Sequence, residues 1–369
     1  MHRQEKQLFL SIELSKREWK LCFGDGKQER QVTIDAGRVE WLLKEVARAK
    51  AKFGLPADAP VASCYEAGRD GFWLDRELRR NGIDNIIVDP ASIEVPRRAR
   101  RRKTDRLDAV RLLRLLLRAR LWGETRVFSV VAVPSEEQEA RMRIGRNRER
   151  LVKERTGHRA RIRSLLALHG IVVKNQRLSR VEVDKLRGGN GRALPPEAAA
   201  ELRREQERLK LVEKQVRELE AQQIEAIGRG GSAADRKAGD LCRLKGIGPQ
   251  GGWVLGHEVF GWRQFRNRKQ VGSFAGLTGT PYDSGETLRE QGISKAGSRR
   301  VRAAMIEMAW NWVRFQPGSA LAEWFMENYG SGASRSRRKG IVALARKLLV
   351  ALWKYVEQGT TPEGALFKA

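Results

Sequence analysis

Histidine and cysteine are scarce in this chain, whose 369 residues include 4 His and 3 Cys. Cys22, Cys64 and Cys242 are too few and too scattered for a disulfide framework or a thiolate metal cluster. So few histidines leave little from which to build a zinc site. Long apolar runs are missing as well: Met1-His2-Arg3-Gln4 leads into polar sequence, which predicts a soluble, unprocessed protein of a reducing compartment, the cytoplasm. Acidic residues are in short supply relative to basic ones, 45 Asp plus Glu against 73 Lys plus Arg, for a formal net charge of +28. Such an excess implies self-repulsion in the free protein and a polyanionic partner. Nucleic acid is the simplest, and an anionic membrane surface satisfies the same arithmetic. A hydrophobic content of 41% argues against general disorder, and the length suits one substantial core with a second, smaller one.

The first part of the chain reads as an α/β domain. LFLSIEL (8–14), EWKLCFG (18–24) and RQVTID (30–35) are β-rich runs, with a hairpin signal at Asp25-Gly26-Lys27. Val39, Leu42, Leu43 and Val46 recur at helical spacing until Gly54-Leu55-Pro56. A strand at 60–65, a helix at 71–81, a strand at 84–88 and a helix at 104–119 follow. The order β-β-β-α-β-α-β-α is the layout of a ribonuclease-H-like mixed sheet flanked by helices, and other α/β domains share pieces of it.

After a strand-like segment at 126–133, the sequence turns mostly helical. Ser135 and Gln138 form a capping box, and the arginine-rich helix after it keeps Ile144, Leu151, Ile162 and Leu165 apolar. Beyond Pro195-Pro196, a heptad-like seam runs through Leu202, Leu209, Val212, Val216, Leu219 and Ile227. Separated by a polar stretch with Gly188-Gly189 and Gly191, the two segments predict an antiparallel coiled-coil arm, a plain spacer being the alternative. Gly228 to Ser232 reads as a flexible linker into a mostly helical C-terminal region with a loop at 278–292. The expected domains are therefore 1–133, 134–227 and 228–369.

Carboxylates at the predicted element ends carry the candidate chemistry. Glu13 falls in the first strand, Glu66 ends the fourth, and Asp105 and Asp108 open the helix after the fifth. Helical residues three apart lie about 5–6 Å from one another at Cβ, so the two aspartates can serve one cleft. Hard oxygen donors gathered this way suit a pair of magnesium ions about 3.5–4 Å apart, the arrangement of two-metal phosphoryl transfer. Arg97, Arg98, Arg100, Arg101, Arg102 and Lys103 stand directly before this pair, where they would contact a phosphate backbone. The plainer reading is ordinary helix-start chemistry, in which first-turn acids favour the dipole.

Two further stretches point to phosphate. In LKGIGPQGGWVL (244–255), Gly246 and Gly248 flank Ile247 in the pattern of a helix-hairpin-helix turn, whose backbone N–H groups hold a phosphate; a tight turn without ligand competes with that reading. In the stretch 274–302, Ser284-Gly285 follows a proline-started turn and precedes Lys295, Arg299, Arg300 and Arg302. A hydroxyl beside glycine is accessible, and four cations could neutralise charge developing on a phosphate. No histidine is close in sequence, so activation of the hydroxyl would come from elsewhere in the fold.

Taken together, IELSK (12–16), YEAG (65–68), VDPASI (88–93), KTDRLDA (103–109), KGIGP (245–249), FAGLTGTPYDSG (274–285) and GISKAGSRRVR (292–302) resemble bacterial insertion-sequence transposases of the "one-ten" type, the bridge-RNA-guided recombinases. The resemblance spans nearly the whole chain, in order. It implies a RuvC-like DEDD domain, a coiled-coil arm and a C-terminal transposase domain. By resemblance, Glu13, Glu66, Asp105 and Asp108 would hold Mg2+ and Ser284 would be the nucleophile that links covalently to DNA. The implied partners are donor and target DNA, a structured non-coding bridge RNA, and further copies of the chain as a homodimer assembling into a tetramer, in the bacterial cytoplasm near the nucleoid. One departure stands out: the family's first acid is Asp, and this chain has Glu13. The extra methylene moves the carboxylate by about 1–1.5 Å, which would weaken or retune a magnesium site unless the strand shifts or a water bridges. A RuvC-like nuclease or junction resolvase using metal-activated water, and an inactive nucleic-acid-binding protein, are the alternative functions.

Overall fold

The computed structural model describes residues 6–68, 71–93, 105–125, 127–173, 178–284 and 287–368, except for the side chains at 105–107, 280–284 and 287–291. Two compact units divide the chain, Met1–Pro134 and Ser135–Ala369. The segments expected at 134–227 and 228–369 fall together in the second.

Alternating burial builds the first unit. In β1 (Leu8–Leu14), Leu8, Leu10 and Ile12 belong to one core and Phe9 to the other, as successive side chains take opposite faces. β2 (Glu18–Gly24) pairs antiparallel with β1, and β3 (Glu29–Asp35) antiparallel with β2. The Asp25 carboxylate accepts the backbone N–H groups of Lys27 and Gln28 at 2.8 and 2.7 Å, closing the β2–β3 hairpin turn. Then come α1 (Val39–Lys52), β4 (Val61–Glu66), α2 (Trp73–Arg80), β5 (Ile83–Val88) and α3 (Asp105–Arg120). The sheet order is β3-β2-β1-β4-β5, with β4 parallel to both β1 and β5. Leu42, Val46, Leu74 and Leu78 of α1 and α2 cover one face; Leu112, Leu113 and Leu116 of α3 cover the other, over Phe9, Cys22 and Cys64. This mixed sheet between helical layers is consistent with a ribonuclease-H-like core.

Among its described residues, the segment expected as a strand at 126–133 makes a single antiparallel bridge, Val88↔Val130. Val127 and Phe128 turn into the α3 core while Val131 and Val133 pack on the opposite one, so the chain crosses the sheet edge before Pro134 stops it.

In the second unit, α4 (Glu136–Leu168) begins with the expected capping box between Ser135 and Gln138. It packs antiparallel on α5 (Pro196–Arg229): Arg148 meets Glu220, Arg159 meets Glu213, and Arg161 meets Glu205. Leu151 with Val212 and Val216, and Ile162 and Leu166 with Leu202 and Leu209, fill the seam. The expected linker at 228–232 is instead a tight turn. Gly230 caps α5 in the left-handed region (φ 60°), where a β-carbon would be strained, and Ser232 forms a capping box with Asp235 at the start of α6 (Ala233–Arg243).

Next come α7 (Pro249–Leu255), which continues as a π-helical turn over Gly256–Phe260, and α8 (Arg268–Phe274). The expected loop at 278–292 is an antiparallel hairpin of β6 (Gly279–Ser284) and β7 (Thr287–Ile293). α9 (Arg299–Phe315), α10 (Ala320–Phe325) and α11 (Ser334–Gln358) complete the unit around Met305, Trp312, Phe325, Leu344, Leu348 and Leu352. No helix among the described residues is long and apolar enough to cross a membrane.

Candidate active site

Sheet register brings the first two acids together. The parallel ladder runs from Leu8↔Val61 to Ile12↔Tyr65, so its next step sets Glu13 beside Glu66 at the carboxyl ends of adjacent strands. Both are half-buried. By alternation they share the face of Ser11 and Cys64, which is the face α3 covers.

Contacts along α3 fix its direction. The Ser11 hydroxyl donates to the Ala109 carbonyl at 2.6 Å; farther along, Leu113 sits against Gly24, the ladder partner of Phe9. The helix therefore runs opposite to β1, and its first turn, holding Asp105 and Asp108, lies toward the strand ends that carry Glu13 and Glu66. Asp108 is half-buried there, and the Asp105 side chain lies outside the described residues. Among the described residues, no group of three or more His, Cys, Asp or Glu side chains could hold a metal ion. Lys20, the ladder partner of Glu13 on β2, brings a cation to the same strand end. Only the register reveals it, because nothing in the local sequence of β2 marks it.

The cysteines offer no competing nucleophile. Burial, reinforced by Glu29, pushes the Cys22 thiol up to about 12. Burial, with Glu66 adding to it, raises Cys64 still further, so both stay protonated and inert.

In the second unit, Ser284 is the last residue of β6, opposite Thr287 where the hairpin closes. Its side chain, Gly285 and Glu286 lie outside the described residues, as do Arg97, Arg98, Arg100, Arg101, Arg102 and Lys103. The hairpin's base is tied down by Ser294 N–H to Thr278 O at 2.8 Å and Lys295 N–H to Gly276 O at 3.2 Å. The four cations named from sequence differ in their use. Arg302 donates to the carbonyls of Ala275 and Lys295 at 3.1 and 3.2 Å, a structural clamp. Arg300 faces Glu149 at 2.8 Å and Glu258 at 3.6 Å. Lys295 and Arg299 are exposed.

The turn between α6 and α7 is held from three sides. Gly246 adopts φ 86°, and a β-carbon on it would lie 3.2 Å from the Asn311 carbonyl. Gln316 donates to Lys245 O at 3.0 Å, and the Lys368 ammonium donates to the carbonyls of Cys242 and Ile247 at 2.6 and 2.7 Å. Gly248, the N-cap of α7, faces open space.

Against known proteins, residues 238–323 match the model of the family described as "Transposase IS116/IS110/IS902 family". The chain is 42% identical over 376 residues to "Putative transposase y4rJ" of Sinorhizobium fredii, covering 98% of this chain and 94% of that protein. The chain belongs to the IS116/IS110/IS902 transposase family. Two more distant relatives are a "Probable family 20 transposase" of Pseudomonas aeruginosa, 26% identical over 86% of this chain and 90% of that one, and the "Transposase for insertion sequence element IS1328" of Yersinia enterocolitica, 25% identical over 61% and 65%. Within this transposase chain, the family-model match runs from α6 to α10 and takes in the glycine turn and the Ser284 hairpin. The acids of the first unit lie outside that match but inside the span shared with the Sinorhizobium protein.

Proposed function

We propose that the protein is the RNA-guided DNA recombinase of an insertion sequence, which cuts and rejoins strands through a 5′-phosphoserine intermediate. The observation carrying this reading is the convergence of Glu13, Glu66 and the first turn of α3 on one end of the sheet, in a chain of the transposase family. Glu13, Glu66, Asp105 and Asp108 are uniformly hard oxygen donors and would hold Mg2+. When bound, the ion supplies Lewis-acid neutralisation of charge on a scissile phosphate.

The residues of the chain do the rest. The Ser284 hydroxyl, presented where the hairpin turns, attacks a DNA phosphorus: the Oγ–P bond forms, the P–O3′ bond breaks, and the proton lost at Oγ is balanced by one taken up at the leaving 3′ oxygen. A 3′-hydroxyl from the exchanged strand then attacks the phosphoserine and restores Ser284. Bond energy is conserved in the covalent link, so no nucleotide hydrolysis is needed. Lys20, Lys295 and Arg299 would contact phosphates, joined by the 97–103 basic run. Gly246 and Gly248 would act as a helix-hairpin-helix turn that meets the DNA backbone without reading bases. The α4–α5 pair would serve as a coiled-coil arm joining subunits into a dimer and then a tetramer. A structured bridge RNA would choose donor and target by base pairing, in the cytoplasm beside the nucleoid.

The test is incubation of protein, its co-transcribed non-coding RNA and donor DNA with magnesium, followed by denaturing gels for protein-linked DNA. A covalent adduct lost in Ser284→Ala is expected. Adducts retained in that variant overturn the serine assignment, and cutting without any protein-linked product points to metal-activated water instead.

A further inference from the structure

One groove of the second unit takes no part in the candidate active site beyond Lys295. It has a volume of about 1160 Å³ and lies between α8, α10, α11 and the base of the β6–β7 hairpin, where Gly279, Gly292 and Ile293 line it. Nine Lys and Arg side chains face it and, among the described residues, no Asp or Glu.

Six of the nine, Arg335, Arg338, Lys339, Arg346, Lys347 and Lys354, come from α11, and all six are exposed. None of them forms an ion pair with a described carboxylate. Their spacing of three or four, then seven or eight, keeps them along one side of the helix, over a length of about 28 Å at 1.5 Å per residue. The opposite side of α11 buries Leu344, Leu348 and Leu352, so the cationic stripe cannot rotate out of the groove. Between the cations the floor is small and apolar, formed by Val342, Ala343, Val350 and Ala351.

An aromatic residue interrupts the wall. Trp324 is half-buried, with the Lys347 ammonium 4.4 Å from its ring centroid and Tyr329 edge-on at 5.8 Å. An exposed cation–π contact is weaker than stacking of a nucleobase on an aromatic ring. Lys347 can therefore give up the ring to a base and take the neighbouring phosphate. A duplex offers cations its phosphates but keeps its base faces stacked, so it gains nothing from Trp324.

We infer that this groove holds a single strand of nucleic acid, its phosphates on the α11 cations and a base on Trp324, and delivers that strand past the base of the hairpin bearing Ser284. The inference rests on the recombinase reading for its purpose, but its chemistry stands on the groove alone.

The test uses the full-length protein in EDTA without RNA, so that no strand chemistry contributes. Binding of a fluorescent oligothymidylate and of a duplex of equal length is followed by anisotropy across a salt series. Arg346→Ala with Lys347→Ala should weaken oligothymidylate binding about tenfold and reduce the slope of log K against log salt by about 1.4, at 0.7 per lost phosphate contact. Trp324→Leu should weaken the single strand about tenfold, leave the duplex unchanged and leave the salt slope unchanged. Thermal melting separates binding loss from misfolding, and Lys347→Arg alone, which keeps both charges, should leave the slope at the parent's value. Unchanged affinity and slope in the charge variant overturn the groove. Equal loss of single strand and duplex in Trp324→Leu, or binding of phosphatidylserine vesicles as tight as that of the oligonucleotide, overturns the single-strand assignment. Loss of covalent adducts with this binding intact would instead break the recombinase reading.

Discussion

The second unit has two basic faces that treat their cations in opposite ways. Along the α4–α5 seam, Arg148, Arg159 and Arg161 each meet a glutamate, and Glu205 alone accepts from His158, Arg161 and Arg208 at 2.7, 3.0 and 2.7 Å. Along α11, six cations line a groove without a described carboxylate. The net charge of +28 counts both faces alike. What separates them is the position of the acids: the seam uses its charges to fix helix register, and the groove leaves its charges available to a ligand. A basic sequence announces a polyanionic partner, and only the pairing pattern says where it goes.

The sharpest way to break this contrast is at Glu205. Burial works against its charged form, yet hydrogen bonds from His158, Arg161 and Arg208 hold its carboxyl at about 2, below the ordinary 4.5. Glu205→Ala removes the shared acceptor of Arg161 and Arg208, whose own side chains stay more than half exposed, and should cost about 1–2 kcal/mol in urea unfolding of the protein. Because the folded value is depressed, the contribution is fully present above about pH 4.5 and is lost as pH falls through about 2. The stability gap between the parent and Glu205→Gln should therefore be widest near neutrality and close toward pH 2. A gap independent of pH would mean that the carboxylate's charge is not what holds the seam.

Next in size is the Arg148–Glu220 pair, 2.6 Å apart and partly exposed. A double-mutant cycle through alanine at both positions should give a coupling of about 0.5–1 kcal/mol that shrinks in high salt. A coupling near zero would place this end of the seam with the groove rather than with Glu205.

Local pattern made much of the fold legible. β1 and β2 fall where alternating runs put them, and the Ser135–Gln138 capping box is spelled out in four residues. The α5 seam was readable from Leu202, Leu209, Val212 and Val216, because burial on one helix face leaves a period in the sequence. The hairpin at Gly279–Ile293 was not, since Gly279, Pro281, Asp283 and Ser284 lack the β-branched alternation that marks a strand. The turn at 228–232 reads as a linker by composition, when its glycine and serine are in fact helix caps. At the candidate site, Glu13 and Glu66 were visible as acids at strand ends, but Lys20 joins them only through a ladder partnership. The groove on α11 was invisible for a related reason: its cations resemble those of α4 in every local respect, and the difference lies in glutamates of another helix.

The smallest expected effect is also the most pointed. Arg338 and Lys354 stand in the groove among like charges, so neither holds the fold by pairing with a described acid. Arg338→Ala and Lys354→Ala should each change stability by no more than about 0.5 kcal/mol, and the sign should be neutral to stabilising, because each removes repulsion. Lower salt lengthens the range of that repulsion and should enlarge the gain, the reverse of the trend for Arg148→Ala on the seam. Melting temperatures at two salt concentrations for the three variants decide the matter. If the groove variants lose stability as salt falls, their cations are paired like those of the seam, and the two faces differ in degree only.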